Sequence, residues 1–154
     1  MSYLHWSSDL ETGIEEIDKQ HQRLVDYLND LSAANDSGDR TAVLNVLNNL
    51  VHYTKTHFTY EEELLERASY PFLRAHKRVH DIFAQRVGDF QQRAVSGENV
   101  APELLSMLKI WLVNHIKGDD ADYADTVRKM LGIKHTGGKV ACGWLGTALH
   151  KIFD

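Results

Sequence analysis

The residues best suited to chemistry in this 154-residue chain sit where core leucines would be expected, in the apolar repeat of four predicted helices. They are His21, His57 with Glu61, His76 with His80, and His115 with either Asp119 or Asp120. Imidazole and carboxylate groups are costly to bury unless something satisfies them. Five histidines and two carboxylates facing one interior are most simply satisfied by bound metal, and their number suits two ions rather than one. His57/Glu61 and His76/His80 are i,i+4 pairs, so both members of each pair project from one helical face. One helical turn is about the reach over which two side chains share a metal or hold two metals a few ångströms apart. An isolated pair of this kind is commonly a surface coincidence; here both pairs lie on the buried stripe, and two further helices each add a histidine to theirs.

The elements that must position these groups follow from the 3–4 alternation of apolar residues. The first helix carries Ile14, Ile17, His21, Leu24, Leu28 and Leu31; the second carries Val43, Leu47, Leu50, Thr54, His57, Glu61 and Leu64. The third carries Leu73, His76, His80, Phe83, Val87 and Phe90, and the fourth Leu104, Leu108, Trp111 and His115. Asn35–Asp39 breaks the first from the second, with Asp39 placed to cap the second helix. Ser69-Tyr70-Pro71 is a turn, Gly97 sits where a helix C-terminal glycine belongs, and Pro71 and Pro102 fall at helix starts. The fourth helix stops near Gly132. Short breaks between long helices imply an all-α, antiparallel up-down-up-down four-helix bundle. An N-terminal arm bearing Trp6 would lie on it. Residues 1–132 would form the bundle domain and residues 133–154 a short helical extension. In that extension, glycines precede an amphipathic stretch around Trp144, Leu145, Leu149, Ile152 and Phe153, which would dock on the bundle or on a protein partner.

Composition narrows the functional classes. Hydrophobic residues make up 43% of the chain, enough for a core, yet no run is long enough for a membrane span. The net charge of −5 and the lack of a basic block argue against a nucleic-acid partner. Cys142 is the single cysteine, which excludes an internal disulfide and a thiolate-rich metal site. With no secretory-type start, a cytoplasmic location is the natural expectation.

Local geometry leaves the last ligand open. Asp119 is about 40° round an ideal helix from His115, whereas Asp120 is about 140° away. Spacing therefore favours Asp119, although Gly118 weakens the helix and a bulge there would bring Asp120 inward.

His21 in GIEEIDKQHQRL, His57-Phe-Thr-Tyr-Glu61, His76-Lys-Arg-Val-His80 and Trp111-Leu-Val-Asn-His115-Ile-Lys-Gly-Asp-Asp120 resemble the hemerythrin family, in particular its single-domain bacterial members. The resemblance runs from about Trp6 to Leu131 and covers all seven ligand positions in order. It implies two non-haem iron ions joined by an oxo or hydroxo group and bridged by Glu61 and Asp120, the family pattern selecting Asp120 over Asp119. It further implies His76, His80 and His115 on one iron, and His21 and His57 on the other. The second iron is then one ligand short, and that open position is where dioxygen would bind.

Imidazole suits iron, and no thiolate is present to favour zinc or copper(I). Reversible dioxygen binding for storage, delivery or sensing, without enzymatic turnover, is the expected function. A di-iron oxidase, peroxidase or nitric-oxide-handling enzyme is the alternative, and iron storage fits poorly with one dinuclear site. Leu24, Phe58, Trp111, Leu112 and Ile116 lie within a turn of the proposed ligands and are the candidate walls of a dry oxygen pocket. His5, His52, His135 and His150 fall outside the pattern, Tyr123 lies one turn beyond Asp120, and of Glu61-Glu62-Glu63 only Glu61 is in register.

Overall fold

The computed structural model describes residues 2–133. The extension expected from the sequence therefore lies, beyond Ile133, outside the described residues. Helices α1 (Glu15–Ser37), α2 (Arg40–Arg67), α3 (Leu73–Val95) and α4 (Ala101–His115) run up, down, up and down. A π-helical turn (Ile116–Asp120) joins α4 to α5 (Ala121–Leu131), which continues the fourth rod of the bundle. Among the described residues there is no strand, and no helix is long and apolar enough to cross a membrane.

Each boundary has a local cause. The Asp39 side chain accepts hydrogen bonds from the Thr41 and Ala42 backbone N–H groups, satisfying two donors that the first turn of α2 would leave orphaned. Gly38 closes α1 in the left-handed conformation. Gly97, with φ of 106°, closes α3. There the Glu98 N–H bonds back to the Arg93 carbonyl and the Gly97 N–H to the Ala94 carbonyl, a geometry that asks for a residue lacking Cβ. The entry to α1 is held differently, since Ile14 has no capping side chain. Asp18 reaches back instead, one oxygen accepting from the Thr12 N–H at 2.7 Å and the other from the Gly13 N–H at 3.2 Å.

The N-terminal arm lies on the bundle, as expected. Asn29 on α1 clamps it by exchanging two 2.9 Å hydrogen bonds with the Leu4 backbone, and Tyr3, Leu4 and Trp6 pack on the core. The core has two apolar regions. The larger, with Leu24, Leu28, Leu50, Phe83, Leu108 and Leu112, fills one end of the bundle. The smaller, with Ile14, Ile17, Tyr60, Leu64, Tyr123 and Val127, fills the other. All seven chemical residues occupy the layer between them. The four seams are not equally tight: α1–α2, α2–α3 and α1–α4 pack closely, while α3 and α4 approach each other least.

Candidate metal centre

All four rods contribute to this layer: α1 gives His21, α2 His57 and Glu61, α3 His76 and His80, and the last rod His115 and Asp120. Every one is at least 95% buried. Their ligand atoms form two groups, each within a 4.8 Å span. Glu61, His76, His80, His115 and Asp120 make the first, and His21, His57 and Glu61 the second.

The π turn accounts for the choice between the two aspartates. A standard α-helix would turn Asp120 away from His115, but one extra residue per turn restores it to the inner face. Asp120 is fully buried, with Oδ1 3.1 Å from His115 Nε2 and Oδ2 3.1 Å from His21 Nε2. Asp119 also meets His115, four residues on as ideal spacing expects, but on the outer nitrogen: His115 Nδ1 donates to Asp119 Oδ2 at 2.8 Å. Both sequence readings of this pair thus describe a real contact, made on opposite edges of one imidazole.

The two inner carboxylates divide their oxygens between the histidine groups. Glu61 Oε1 faces His76 at 2.5 Å and His80 at 3.3 Å, while Oε2 faces His57 at 3.2 Å and His21 at 3.9 Å. Asp120 Oδ1 faces His115 and, at 3.4 Å, His76; its Oδ2 faces His21. Three histidines therefore gather on one side of the carboxylate pair and two on the other.

Outer hydrogen bonds set the tautomers. His57 Nδ1 donates to Gln20 Oε1 at 2.6 Å, and His80 Nδ1 donates to Glu62 Oε1 at 3.1 Å. With Nδ1 carrying a proton in His57, His80 and His115, each ring in its neutral, metal-binding form presents its Nε2 lone pair inward. His80 Nε2 and His115 Nε2 then face each other at 3.1 Å. Two lone pairs at that distance repel unless a proton or a metal ion lies between them. Among the described residues, Glu61 Oε2, both oxygens of Asp120 and both nitrogens of His21 are buried without a hydrogen-bond partner. Unsatisfied carboxylate oxygens and an imidazole gathered in one buried layer are what a cation would satisfy, so the residues present fit a metal centre.

Electrostatics agree. Burial would raise the pKa of Glu61, yet the His57, His76 and His80 rings against its oxygens hold it well below the usual carboxylate range. Burial and the Glu61 charge push Asp120 upward, but His115 and His21 outweigh them and the net direction is down. Burial lowers His57. His80 resists the same burial because Glu61 and Glu62 raise it to about 9. Tyr123 is fully buried, and burial together with the charges of Glu61 and Asp120 holds its hydroxyl well above the ordinary tyrosine pKa.

Aromatic rings fix two of the imidazoles. Phe58 stacks on His80 with centroids 3.8 Å apart, and Trp111 stacks on His115 at 4.4 Å. A small apolar cavity of about 20 Å³ opens one turn from His21, His57, His80 and His115, lined by Leu24, Leu28, Leu50, Thr54, Phe83, Leu108, Trp111 and Leu112. Thr54 turns its hydroxyl to the Leu50 carbonyl, so it adds little polarity to the wall. Of the residues proposed from the sequence as pocket walls, Leu24, Trp111 and Leu112 line this cavity. Phe58 and Ile116 are buried in the same core but do not line it. His5 and His52 are exposed, while His135 and His150 lie outside the described residues.

Sequence reasoning missed Gln20 and Glu62. Glu62, out of register with the inner face, has a side chain only 20% exposed and accepts from His80 Nδ1. Gln20 sits beside His21 in sequence but serves His57 on another helix, and neither partner has a local signal.

Comparison with known proteins gives a consistent answer. The model of the hemerythrin HHE cation binding domain matches residues 12–127. The chain is 46% identical to the bacteriohemerythrin of Stenotrophomonas maltophilia, covering 99% of both chains. It is 36% identical to the myohemerythrin of Theromyzon tessulatum over 77% of this chain and 88% of that one. A crystal structure of wild-type hemerythrin superposes with a TM-score of 0.78 at 28% identity, covering 81% of this chain and 98% of its own. With the motifs, the four-rod architecture and these likenesses in agreement, the chain belongs to the hemerythrin family.

Proposed function

We propose that this protein binds dioxygen reversibly at a di-iron centre held by His21, His57, Glu61, His76, His80, His115 and Asp120. The observation that carries the reading is the division of the carboxylate oxygens, each of Glu61 and Asp120 offering one oxygen to the three-histidine side and the other to the two-histidine side. Such carboxylates suit a bridging role between two irons, with an oxo or hydroxo group completing the bridge. The unequal number of histidines leaves the His21/His57 side one ligand poorer. When bound, the two irons would supply the two electrons that reversible capture of dioxygen requires.

The chain's own groups favour binding over turnover. His57, His80 and His115 are locked by outer hydrogen bonds, which fixes their lone pairs before metal arrives. The adjacent cavity is apolar and has room for about one small molecule. Ligands rich in imidazole donate less negative charge than carboxylate-rich sets and so stabilise high-valent iron less.

The test is a cycling experiment. The iron-loaded protein is reduced without air, exposed to oxygen and then degassed. A coloured adduct that appears and fades over repeated cycles supports the proposal. Rapid one-way oxidation with peroxide release, or oxidation of an added co-substrate, would instead assign an oxidase or peroxidase. Fewer than two irons in a fully loaded sample would remove the dinuclear reading.

A further inference from the structure

The loosest seam of the bundle, between α3 and the fourth rod, is open in two stretches. Towards the end of the bundle where α5 terminates, it is lined by Tyr70, Phe72, Val79, Asp119, Asp122 and Thr126. Further along it continues past Asp119 to Arg86, Phe90, Glu103, Met107, Ile110 and Trp111. Asp119 borders both stretches, so they lie end to end along the seam. Two large apolar side chains on its rim face water: Phe72 is 66% exposed and Ile110 63%. Exposed apolar residues along an underpacked seam mark a surface built to be covered.

We infer that residues 144–153 of this same chain cover it, packing as an amphipathic helix along the α3–α4 groove. At 100° per residue, Trp144, Leu145, Ala148, Leu149, Ile152 and Phe153 fall on one half of a helical wheel. Thr147, His150, Lys151 and Asp154 fall on the other. A stripe that wide needs an apolar partner surface.

Reach and charge both favour this occupant. The last described residue, Ile133, lies seven positions beyond Thr126, which lines the near end of the groove. Residues 134–143 span up to about 33 Å when extended, and Gly137-Gly138 and Gly143 permit the reversal that a return along the bundle demands. From Thr126 to Asn114 the groove covers about 18 Å, against about 15 Å for a ten-residue helix. Lys134, Lys139 and Lys151 outnumber Asp154 in the segment, while the groove presents Glu103, Asp119 and Asp122 against Arg86. A segment tethered so close to its site has an effective concentration in the millimolar range, which favours its own chain over a second copy. The docking is independent of which ion the centre holds.

Cys142, the only cysteine in the chain, makes the test direct. A second cysteine is introduced at Asn114, on the groove, or at Lys55, on the far face of α2; both positions are exposed. Each metal-loaded, full-length variant is then treated with a short bismaleimide. Asn114→Cys should link to Cys142 within one chain on the order of tenfold more than Lys55→Cys, and adding Trp144→Asp with Leu149→Asp should erase the difference. Equal yields from the two positions, preference for Lys55→Cys, no linkage at all, or linkage between chains rather than within one would overturn the inference.

Discussion

The three-histidine side and the two-histidine side of the centre share both carboxylates but are braced by different chemistry. Around His76, His80 and His115 the outer hydrogen-bond acceptors are anions, with Glu62 on His80 and Asp119 on His115. Among the described residues, the one outer acceptor around His21 and His57 is the neutral Gln20 amide, and His21 Nδ1 has no partner. Stacked aromatic rings add to the contrast, since Phe58 and Trp111 lie flat on His80 and His115. A carboxylate accepting from Nδ1–H makes an imidazole a stronger donor. On the proposed di-iron reading, the three-histidine side would hold its cation firmly and in one geometry. The two-histidine side has fewer donors, weaker braces and the greater freedom to accept an additional ligand.

The comparison can be broken most severely at a residue both sides use. Glu61→Ala should take the chain from two metals to none, measured by metal analysis after loading, because Glu61 belongs to both ligand groups. Retention of one firmly held metal would show that the halves are more independent than their shared carboxylate implies. Next in size is a one-sided loss. His21→Ala should leave about one metal per chain, held on the three-histidine side, whereas His80→Ala should weaken the firmer site and leave no tightly bound ion. His76→Ala should likewise reduce loading, and the exposed His52→Ala should not change it.

A smaller effect addresses the braces themselves. Glu62→Gln should lower affinity for the first metal by about 10- to 100-fold, as read by competition with a chelator. Gln20→Ala should chiefly affect the second metal. Equal effects of the two variants on both metals would erase the proposed asymmetry.

The mildest test is pH. In the metal-free chain, His80 is raised from 6.5 to about 9 by Glu61 and Glu62 against the opposing effect of burial. A group with a raised pKa in the fold contributes stability that is fully present below about pH 6.5 and is lost as pH rises through about 9. The urea midpoint of the metal-free protein should therefore fall between those values. The loaded protein should lack that fall, since metal takes the proton's place, and loading near neutrality should release a proton.

The bundle and the seven inner positions were legible in the sequence because burial imposes a 3–4 rhythm that polar ligands must share with leucines. His57/Glu61 and His76/His80 announce themselves by spacing within a single helix. The Asp119/Asp120 ambiguity was not resolvable by ideal spacing, because a π turn changes the angle per residue. A downstream signal existed: Tyr123 and Val127 continue the inner face set by Asp120, whereas the register of Asp119 would place Asp122 and Thr126 in the core. Gln20 and Glu62 were illegible for a different reason. Each braces a histidine on another helix, and such pairing depends on how helices are rotated against one another, which no local pattern encodes.

The π turn at Ile116–Asp120 reaches further than one aspartate. It acts as a phase shifter in the fourth rod: each later residue takes the place that its predecessor would hold in an unbroken α-helix. The buried series His115, Asp120, Tyr123 and Val127 is the shifted frame. The turn is in effect a one-residue insertion, and the exposed Gly118, with open space around it, is where that residue could be taken out. Deleting Gly118 would leave Asp120 four residues after His115, still facing inward in a plain α-helix, with Tyr123 and Val127 in frame behind it. Asp119 would then stand three residues from His115 and lose its seat on the outer nitrogen. The inserted residue is thus what lets a single turn of helix offer one carboxylate to the inner edge of an imidazole and a second to the outer edge.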